Sequence, residues 1–301
     1  MEGRGVLRST AAGPDSIPAV SISTLIAPLF DVVTEAVRGT VLSVHGSAVN
    51  LLVDGSLVAI AGARTGGLPN GLLVDDPFAP RLLGVRAGMS VGVGSGRLAI
   101  DEAAFAVGLD GARRWRPELR SMATPADLDV RIGLARRAAA RTRGGLSGIV
   151  PGHDLLAALA TALASGSEQE IVAAGRALVG LGAGLTPAGD DVLVGLTAGL
   201  TALGDPRARG LAGAWAGHAT GRTTVAAEAF HRHAAAGAYS ERLHDLLRAM
   251  LRQPKGTIPA AVHAVASWGA TSGADTIAGV LLALGQPAAA ASTGHQEPDA
   301  A

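Results

Sequence analysis

Residues 180–195 read Gly180-Leu-Gly-Ala-Gly-Leu-Thr-Pro-Ala-Gly-Asp-Asp-Val-Leu-Val-Gly195 and join two apolar helical stretches. The glycines allow the backbone to turn through positive φ and allow a ligand to come close to it. Pro187 fixes one turn position and biases Thr186 away from helix. Asp190 and Asp191 then stand where a helix begins, among backbone N–H groups that lack a partner within the helix. The stretch predicts a glycine-rich binding loop that leads into a helix.

A second stretch near the C-terminus has the same features. Gly269-Ala-Thr-Ser-Gly-Ala-Asp275-Thr-Ile-Ala-Gly279 places Thr, Gly and Asp before an apolar helix. The spacing between Asp191 and Gly195 recurs between Asp275 and Gly279. Two similar helix starts predict one site built from two loops. The alternative is a pair of ordinary Asp N-caps, each worth roughly 1 kcal/mol to its helix.

Composition restricts the classes of function. The chain has 301 residues, 48% of them hydrophobic and 3% aromatic, which is enough for one large or two ordinary domains with cores of Ala, Leu and Val. Its formal net charge is zero, so no overall electrostatic attraction to nucleic acid or to a membrane surface is expected. The absence of Cys excludes a thiolate nucleophile, a Cys-ligated zinc and a disulfide. Lys255 is the only lysine and follows Gln253-Pro254, which excludes a P-loop.

Targeting signals are not evident. Residues Met1 to Pro18 are polar and broken by Gly and Pro, without the apolar region of a secretory signal. The longest apolar runs fall short of the roughly 20 residues that a membrane span needs. A cytoplasmic protein is therefore expected.

The residue pattern changes once, near residue 120. We expect a flexible tail at residues 1–18, a mainly β domain at 19–120, a helical domain with glycine-rich ligand loops at 121–285, and a disordered tail at 286–301. The predicted fold class is α+β, with a small N-terminal β barrel or sandwich followed by an all-α domain.

Within the β half, Asp54-Gly55 is a strong signal for a two-residue hairpin turn. A short leading helix is expected within residues 19–38, because four apolar side chains have helical spacing: Ile22, Leu25, Ile26 and Leu29.

Within the α half, Thr124-Pro125 predicts a helix start, and that helix is expected to run to about Arg143. Ser167 and Glu170 have the spacing of a capping box. The helix that begins at Asp190 is apolar on nearly every side, so it is expected to be central.

The chemistry of the first loop allows three interpretations. A glycine-rich loop that runs into a helix N-terminus usually binds an anion. Two carboxylates oppose a phosphate there, by roughly 4 kcal/mol per charge pair at 4 Å and an effective dielectric near 20. Mg²⁺ bridging Asp190, Asp191 and a phosphate would remove that repulsion. The Asp side chains could instead cap their own helix, or accept hydrogen bonds from a ligand NH₂ group while loop N–H groups hold its oxyanion. The last option suits a carbamoyl or amide substrate.

Other polar residues have both a functional and a structural interpretation. Arg222 offers a guanidinium for a carboxylate or phosphate beside Thr224, or is a solvated residue next to a helix cap. Asn50 lies in an otherwise apolar strand pair and faces either the helical domain or solvent. A lone strand histidine such as His45 is more often at the surface. Structural or surface roles are assigned to the helical histidines: His218, His231, His233, His244 and His263.

The chain resembles a bacterial family of unknown function that includes a subunit of the oxamate carbamoyltransferase of anaerobic allantoin breakdown. The resemblance rests on residues 182–195, on residues 269–275, and on Ser43-Val-His-Gly-Ser-Ala-Val-Asn50-Leu. With the 223–247 stretch it spans most of residues 40–285. It implies carbamoyl transfer between carbamoyl phosphate and an oxamate-like acceptor in a multi-subunit complex. Ala188 and Ala270 depart from the pattern, where Ser and His are expected, which implies an altered substrate or lost activity.

The leading hypothesis is an enzyme, or a subunit of one, whose site lies where the β domain meets the helical domain. Asp190, Asp191 and Asp275 are the candidate catalytic side chains, and the first two are candidate Mg²⁺ ligands. Carbamoyl phosphate or a similar anion is the expected ligand, with partner subunits or self-association. The alternative is a non-catalytic ligand-binding or assembly subunit whose loops are helix caps. Candidate substrate-binding residues are Asn50, Gly184, Thr186, Gly189, Arg222, Thr224, Thr271, Ser272 and Gly273.

Overall fold

A computed structural model describes residues 16–31, 36–80, 83–103, 105–149 and 152–286, so most of both predicted tails lies outside the described residues. Strands occupy the first part of the described chain and α-helices the second, which confirms the predicted α+β class. The strands are β1 (Ile17–Ser23), β2 (Val37–Val44), β3 (Ala48–Val53), β4 (Ser56–Gly62), β5 (Gly71–Val74), β6 (Ser90–Gly94), β7 (Arg97–Ile100), β8 (Phe105–Gly108) and β9 (Arg113–Trp115).

The strands form a closed barrel. Neighbouring strands follow the order β5-β4-β3-β2-β6-β7-β8-β1, and β1 closes the barrel by pairing antiparallel with β5. β1 is parallel to β8 near Ile17 and to β9 near Ser21 to Ser23. Along β3, Val49, Leu51 and Val53 are fully buried and alternate with half-buried residues, as expected for one face packed inside a barrel.

The hairpin predicted at Asp54-Gly55 is confirmed. It joins β3 to β4, and both residues have positive φ, 46° for Asp54 and 70° for Gly55. Two left-handed residues give the turn the twist that antiparallel strands require.

The predicted leading helix is wrong. Ile22 lies in β1 and packs into the barrel core, while Ala27–Phe30 forms a single 3₁₀ turn. The helical spacing arose because a short strand and the turn after it pack Ile22, Ile26 and Leu29 against the same core, whereas Leu25 is exposed. Pairing of β1 with β5, β8 and β9 decides the conformation in favour of strand.

The helices are α1 (Leu128–Ala139), α2 (Gly152–Ser165), α3 (Glu168–Arg176), α4 (Ala188–Leu203), α5 (Ala208–Ala219), α6 (Val225–Ala235), α7 (Glu241–Leu251), α8 (Ile258–Ala266) and α9 (Ser272–Leu284). The Ser167 hydroxyl accepts from the Glu170 amide at 3.3 Å, which is half of the predicted capping box. The other half is replaced, because the Ser167 amide and the Glu170 carboxylate both bond to the Ser165 hydroxyl. α1 starts later than Thr124-Pro125 predicts and ends before Arg143. None of the helices in the described residues has the length and apolar character of a membrane span.

The core of the helical domain is the crossing of α4 and α9. The Thr186 and Ser272 hydroxyls meet at one end of the pair, and Gly199 meets Ala283 further along, so the helices run in the same direction. At the crossing, a Cβ added to Gly195 would overlap the Thr276 carbonyl oxygen, and one added to Gly279 would overlap that of Val192. This close approach places the two N-termini side by side.

The barrel is joined to the helical domain through the segment between β4 and β5. The Gly67 amide donates to Glu241 Oε2 at 2.7 Å, and the Glu241 amide donates to the Gly67 carbonyl at 2.8 Å. Arg242 spans the junction, donating through Nη2 to the Arg64 carbonyl at 2.8 Å and through Nη1 to the Ala264 carbonyl at 2.8 Å. These bonds fix the segment against the start of α7.

We predict opposite effects on stability for two glycine substitutions. Gly195→Ala should lower the free energy of unfolding by about 3 kcal/mol, because its methyl group forces α4 away from α9. Gly213→Ala on α5 is the matched control. A Cβ there meets nothing within 4 Å, so the change should stabilise the protein by about 0.5 to 1 kcal/mol.

Denaturant unfolding of both variants measures these free energies. Equal effects of the two substitutions would contradict close glycine packing at the α4–α9 crossing.

Candidate functional site

A cavity of about 540 Å³ lies between the barrel and the helical domain. We call it the interdomain cavity. On the barrel side its wall is formed by His45, Ser47, Ala48, Asn50, Leu57, Ala59, Ala61, Thr65, Leu68, Pro69 and Asn70. On the helical side the wall is formed by residues 183–186, Asp191, Val194, Ala226, Phe230, His233, Ala238, Tyr239, Ser240, Leu243, residues 268–272 and Thr276.

The paired N-termini of α4 and α9 meet this cavity. Thr186 precedes α4 and Ser272 opens α9, and their hydroxyl oxygens are 2.8 Å apart. We call these two side chains the hydroxyl pair. Each helix N-terminus carries a partial positive charge, which favours a negatively charged or strongly accepting ligand group.

Asp191 is the acidic side chain of the cavity wall. It is 8% exposed, and its Oδ2 has no hydrogen-bond partner among the described residues. Burial raises the pKa of Asp191 well above its usual range. Ser272 and Thr186 act in the opposite direction, while the nearby carboxylates of Asp275 and Asp190 raise the pKa further. Burial in the cavity wall therefore disfavours the charged form of this carboxyl group.

Asn70 is the most enclosed polar residue of the wall. It is 1% exposed, and neither Oδ1 nor Nδ2 has a hydrogen-bond partner among the described residues. Its backbone is fixed, because its carbonyl accepts from the Ala59 amide at 2.9 Å. Buried polar groups without partners are rare in folded proteins and are costly, so this amide is available to a ligand.

His233 is a third wall residue with an unsatisfied atom. Its Nε2 is buried and has no partner among the described residues. Burial, helped by the neighbouring charge of Arg232, lowers the pKa of His233 to about 4. The ring is therefore neutral at physiological pH. No Arg or Lys is present among the described residues that line the cavity.

Six of the sequence-predicted residues lie in the cavity wall. They are Asn50, Gly184, Thr186, Asp191, Thr271 and Ser272. Asn50 is held at the barrel side, where its Nδ2 donates to Ser43 Oγ at 3.1 Å. That hydroxyl is also 3.0 Å from His45 Nε2.

Asp190 lies beside Asp191 in sequence but not in the cavity wall. It is 2% exposed, and its carboxylate accepts from Thr223 Oγ1 at 2.6 Å and from the Gly180 amide at 3.2 Å. The Nε2 of His231 lies 2.8 Å from Asp190 Oδ1. These contacts connect the loop before α4 to α6.

Asp275 also lies outside the cavity wall. Its Oδ2 accepts from the Gly145 amide at 2.8 Å and its Oδ1 from the Leu146 amide at 3.3 Å. Burial raises the pKa of Asp275, and these two bonds partly oppose the increase. The carboxylate therefore fixes the 144–146 segment against the start of α9.

The other predicted binding residues have local contacts that define their positions. Gly189 and Gly273 are packing glycines, because an added Cβ would overlap the Leu178 and Val265 carbonyls respectively. Thr224 caps α6, accepting from the Ala227 amide at 3.1 Å and donating to the Leu185 carbonyl. Arg222 is exposed and donates to the His218 carbonyl at 3.3 Å.

The described residues around the cavity do not form a cluster of metal ligands. The described residues contain no group of three or more His, Cys, Asp or Glu side chains placed to hold a metal ion. Asp190 and Asp191 have different surroundings, the first within the protein interior and the second in the cavity wall.

Two family models match the chain. The AllH family N-terminal domain matches residues 18–114, and the oxamate carbamoyltransferase subunit AllH matches residues 178–284. The chain belongs to the AllH family. No curated protein and no solved structure matches it.

The two segments that the family models match contain the residues that form the cavity wall. The N-terminal match contains Asn50 and Asn70, and the C-terminal match contains Asp191 and the hydroxyl pair. Of the two departures from the expected pattern, Ala270 lines the cavity, whereas Ala188 is buried outside its wall.

Sequence reasoning missed Asn70 and gave His233 only a structural or surface role. Asn70 precedes Gly71, and Asn-Gly is typical of an exposed turn rather than of a buried wall. His233 lies two positions from His231, so spacing gave no sign of a shared site. A weak signal for Asn70 is the apolar strand Gly71–Val74 that follows it directly.

We predict that the two adjacent aspartates respond oppositely to replacement by Asn. Asp190→Asn should lower the free energy of unfolding by about 3 kcal/mol, because it disrupts a buried hydrogen-bond network. Asp191→Asn should leave stability unchanged at acidic pH and raise it at higher pH. A raised folded-state pKa means that the contribution of Asp191 is present below its unfolded pKa and is lost as pH rises through the folded value.

Denaturant unfolding of both variants at acidic and at mildly alkaline pH tests this. Destabilisation of Asp191→Asn as large as that of Asp190→Asn would show that both carboxylates are structural.

Proposed function

We propose that the chain is a subunit of a carbamoyltransferase and binds a small carbamoyl- or amide-bearing substrate in the interdomain cavity. The reaction transfers a carbamoyl group between carbamoyl phosphate and an oxamate-like acceptor. The observation that carries the proposal is the buried Asp191 carboxyl beside the hydroxyl pair, at two adjacent helix N-termini. The family description supports the reaction class.

The chemistry of this transfer suits such a wall. The acceptor nitrogen attacks the carbamoyl carbon, a C–N bond forms, and the bond to the phosphate oxygen breaks with its electron pair leaving on phosphate. The nitrogen loses a proton, which the ionised fraction of Asp191 accepts. A carboxyl with a raised pKa is suited to this role, because its ionised form is a stronger base than an ordinary carboxylate. The free O–H of the hydroxyl pair and the two helix N-termini orient the negatively charged end of the acceptor.

Asp190 and Asp275 act in this proposal as positioning residues. Asp190 holds the loop before α4 through Gly180 and Thr223, and Asp275 holds the 144–146 segment. Both therefore stabilise the geometry in which Asp191 and the hydroxyl pair meet. In a transfer that uses no covalent nucleophile, correct placement of the reacting groups accounts for a large part of the rate enhancement.

Partner chains complete the enzyme in this proposal. The matched family is named as a subunit, so the complete activity is assigned to an assembly. The assembly acts in purine breakdown in the cytoplasm.

The second candidate function is a binding subunit without chemistry. It is favoured by Asp190 and Asp275, whose carboxylates are occupied by protein donors as structural caps would be. In that case the cavity binds a ligand and the reaction takes place on another chain.

We predict that Asp191→Asn lowers kcat for carbamoyl transfer at least about 100-fold while the protein stays folded, because a general base typically contributes 10²- to 10⁴-fold. The assay uses the assembly purified from its own cells through the tagged chain, and follows phosphate release and carbamoylated product. Asp245→Asn is the control, since Asp245 is an exposed partner of Arg248 on α7 and should leave kcat unchanged.

The binding-subunit candidate predicts a different result. Asp191→Asn would then change KM for one substrate without lowering kcat. Absence of any transfer activity in the wild-type assembly, with carbamoyl phosphate and oxamate both supplied, would refute the proposed reaction.

A further inference from the structure

The barrel side of the interdomain cavity offers an unusual hydrogen-bonding surface. Asn70 presents both an acceptor and a donor without protein partners, and it is 1% exposed. Asp191 Oδ2 and His233 Nε2 add two more unsatisfied atoms from the helical side. A ligand that satisfies these atoms needs donors and acceptors together.

The described part of the wall lacks a cationic side chain that could neutralise the double negative charge of a phosphoryl group. Among the described lining residues there is no Arg or Lys, and the His233 ring is neutral. Arg242 is adjacent in sequence to the lining residue Leu243, but it donates to the Arg64 and Ala264 carbonyls and to Ser267 Oγ. A phosphate dianion would enter this cavity without a cationic partner, and an unpaired buried charge is strongly disfavoured.

We infer that the interdomain cavity binds the primary-amide end of the acceptor, through the Asn70 side-chain amide and the Asp191 carboxyl, and does not bind the phosphoryl group of the donor. The assignment of the ligand as an acceptor rests on the proposed function. The preference for an amide over a phosphate rests on the cavity wall alone.

The donor and acceptor pattern supports an amide. A primary carboxamide presents one carbonyl oxygen and two N–H groups in a plane. Paired edge to edge with Asn70, it satisfies both Oδ1 and Nδ2, and its second N–H reaches towards an acceptor such as Asp191 Oδ2. Phosphate presents mainly acceptors, so it would leave Asn70 Oδ1 unpaired and would face the Asp191 carboxyl.

The hydroxyl pair, on the helical side of the cavity, suits the carboxylate end of a small ligand that also carries a primary amide. The hydroxyl pair lies at the N-termini of α4 and α9, which are 16 and 13 residues long. One hydroxyl donates to the other, so the pair has one free O–H, and this donor together with the two helix dipoles favours a single carboxylate there. A ligand such as oxamate carries one amide and one carboxylate, which are the two groups that these parts of the wall favour.

The test compares oxamate with oxalate, which replaces the amide by a second carboxylate. Calorimetry with the full chain should show oxamate binding at least about 100-fold more tightly than oxalate, because a site that hydrogen-bonds an amide leaves its own groups unpaired with the analogue. Inorganic phosphate should not compete. Equal affinity for oxamate and oxalate, or competition by phosphate, overturns the inference.

Asn70→Leu is the decisive variant. Leu has the same branched shape without polar atoms, and its larger methyl groups can extend into the cavity, so the thermal midpoint should stay the same or rise, while oxamate affinity falls about 100-fold. Asn70→Asp gives a second variant that keeps one acceptor but loses the NH₂ donor, and it should also weaken oxamate binding. Asp245→Asn should bind as wild type. Retention of oxamate affinity in folded Asn70→Leu overturns the inference.

The same variants separate this inference from the proposed function. In the assembly, Asn70→Leu should raise KM for oxamate and leave KM for carbamoyl phosphate unchanged. If the isolated chain shows no binding and KM for oxamate does not move in the assembly, the inference is wrong although transfer still occurs. If oxamate binds as expected but the wild-type assembly transfers no carbamoyl group, the proposed function is wrong and the amide site remains.

Discussion

Backbone contact between α4 and α9 is the constraint on which the site depends. Gly195 and Gly279 each face a carbonyl oxygen of the other helix, and no side chain fits between them. Glycine in a helix interior costs roughly 1 kcal/mol relative to alanine. That cost is offset by packing along two nearly all-apolar helices, in which Val192, Leu196 and Val280 are almost completely buried. Because the helices run in the same direction, their N-termini are also forced together.

Parallel helices with adjacent N-termini bring two positive dipole ends into one place, which is unfavourable unless negative groups are nearby. Three carboxylates, those of Asp190, Asp191 and Asp275, lie in the first turns of these helices. Two of them also accept hydrogen bonds from loops that must be held in place. Only Asp191 is left with an unsatisfied oxygen, and it is the one that faces the cavity. Aspartate therefore has a structural role at positions 190 and 275, whereas the carboxyl at position 191 is available to a ligand.

Local signals in the sequence were sufficient for most elements of the fold. The positive φ of Asp54-Gly55 and the Ser167 cap are decided by a few neighbouring residues, so both are readable from sequence. The leading helix was misread because the strand pairing of Ile22 depends on β5, about 50 residues away. Barrel closure is a non-local property of the same kind, and the sequence could not distinguish a barrel from a sandwich.

The sequence also could not decide which residues of the candidate site face the cavity. Thr186, Asp191 and Ser272 were found because both helix starts have a visible motif, and the cavity does bring them together. The same motif could not tell Asp190 from Asp191, since their surroundings are decided by Thr223, His231 and the barrel. Asn70 had no motif at all, because its burial is created by a domain that follows it in the chain.

Each domain contributes part of the cavity wall, and each contains one of the two segments that the family models match. The helical domain alone would present Asp191 and the hydroxyl pair to solvent, where water competes for every hydrogen bond and charges are screened. Docking of the 63–70 segment on Glu241 and Arg242 covers that surface with β4 and Asn70. In the wall of the enclosed cavity, burial raises the pKa of Asp191, and the Asn70 amide has no hydrogen-bond partner among the described residues. The barrel therefore completes the enclosure of the site and adds the Asn70 amide to its wall. A substitution at the junction, such as one at Glu241, would change ligand binding without touching a wall residue, through the loss of that enclosure.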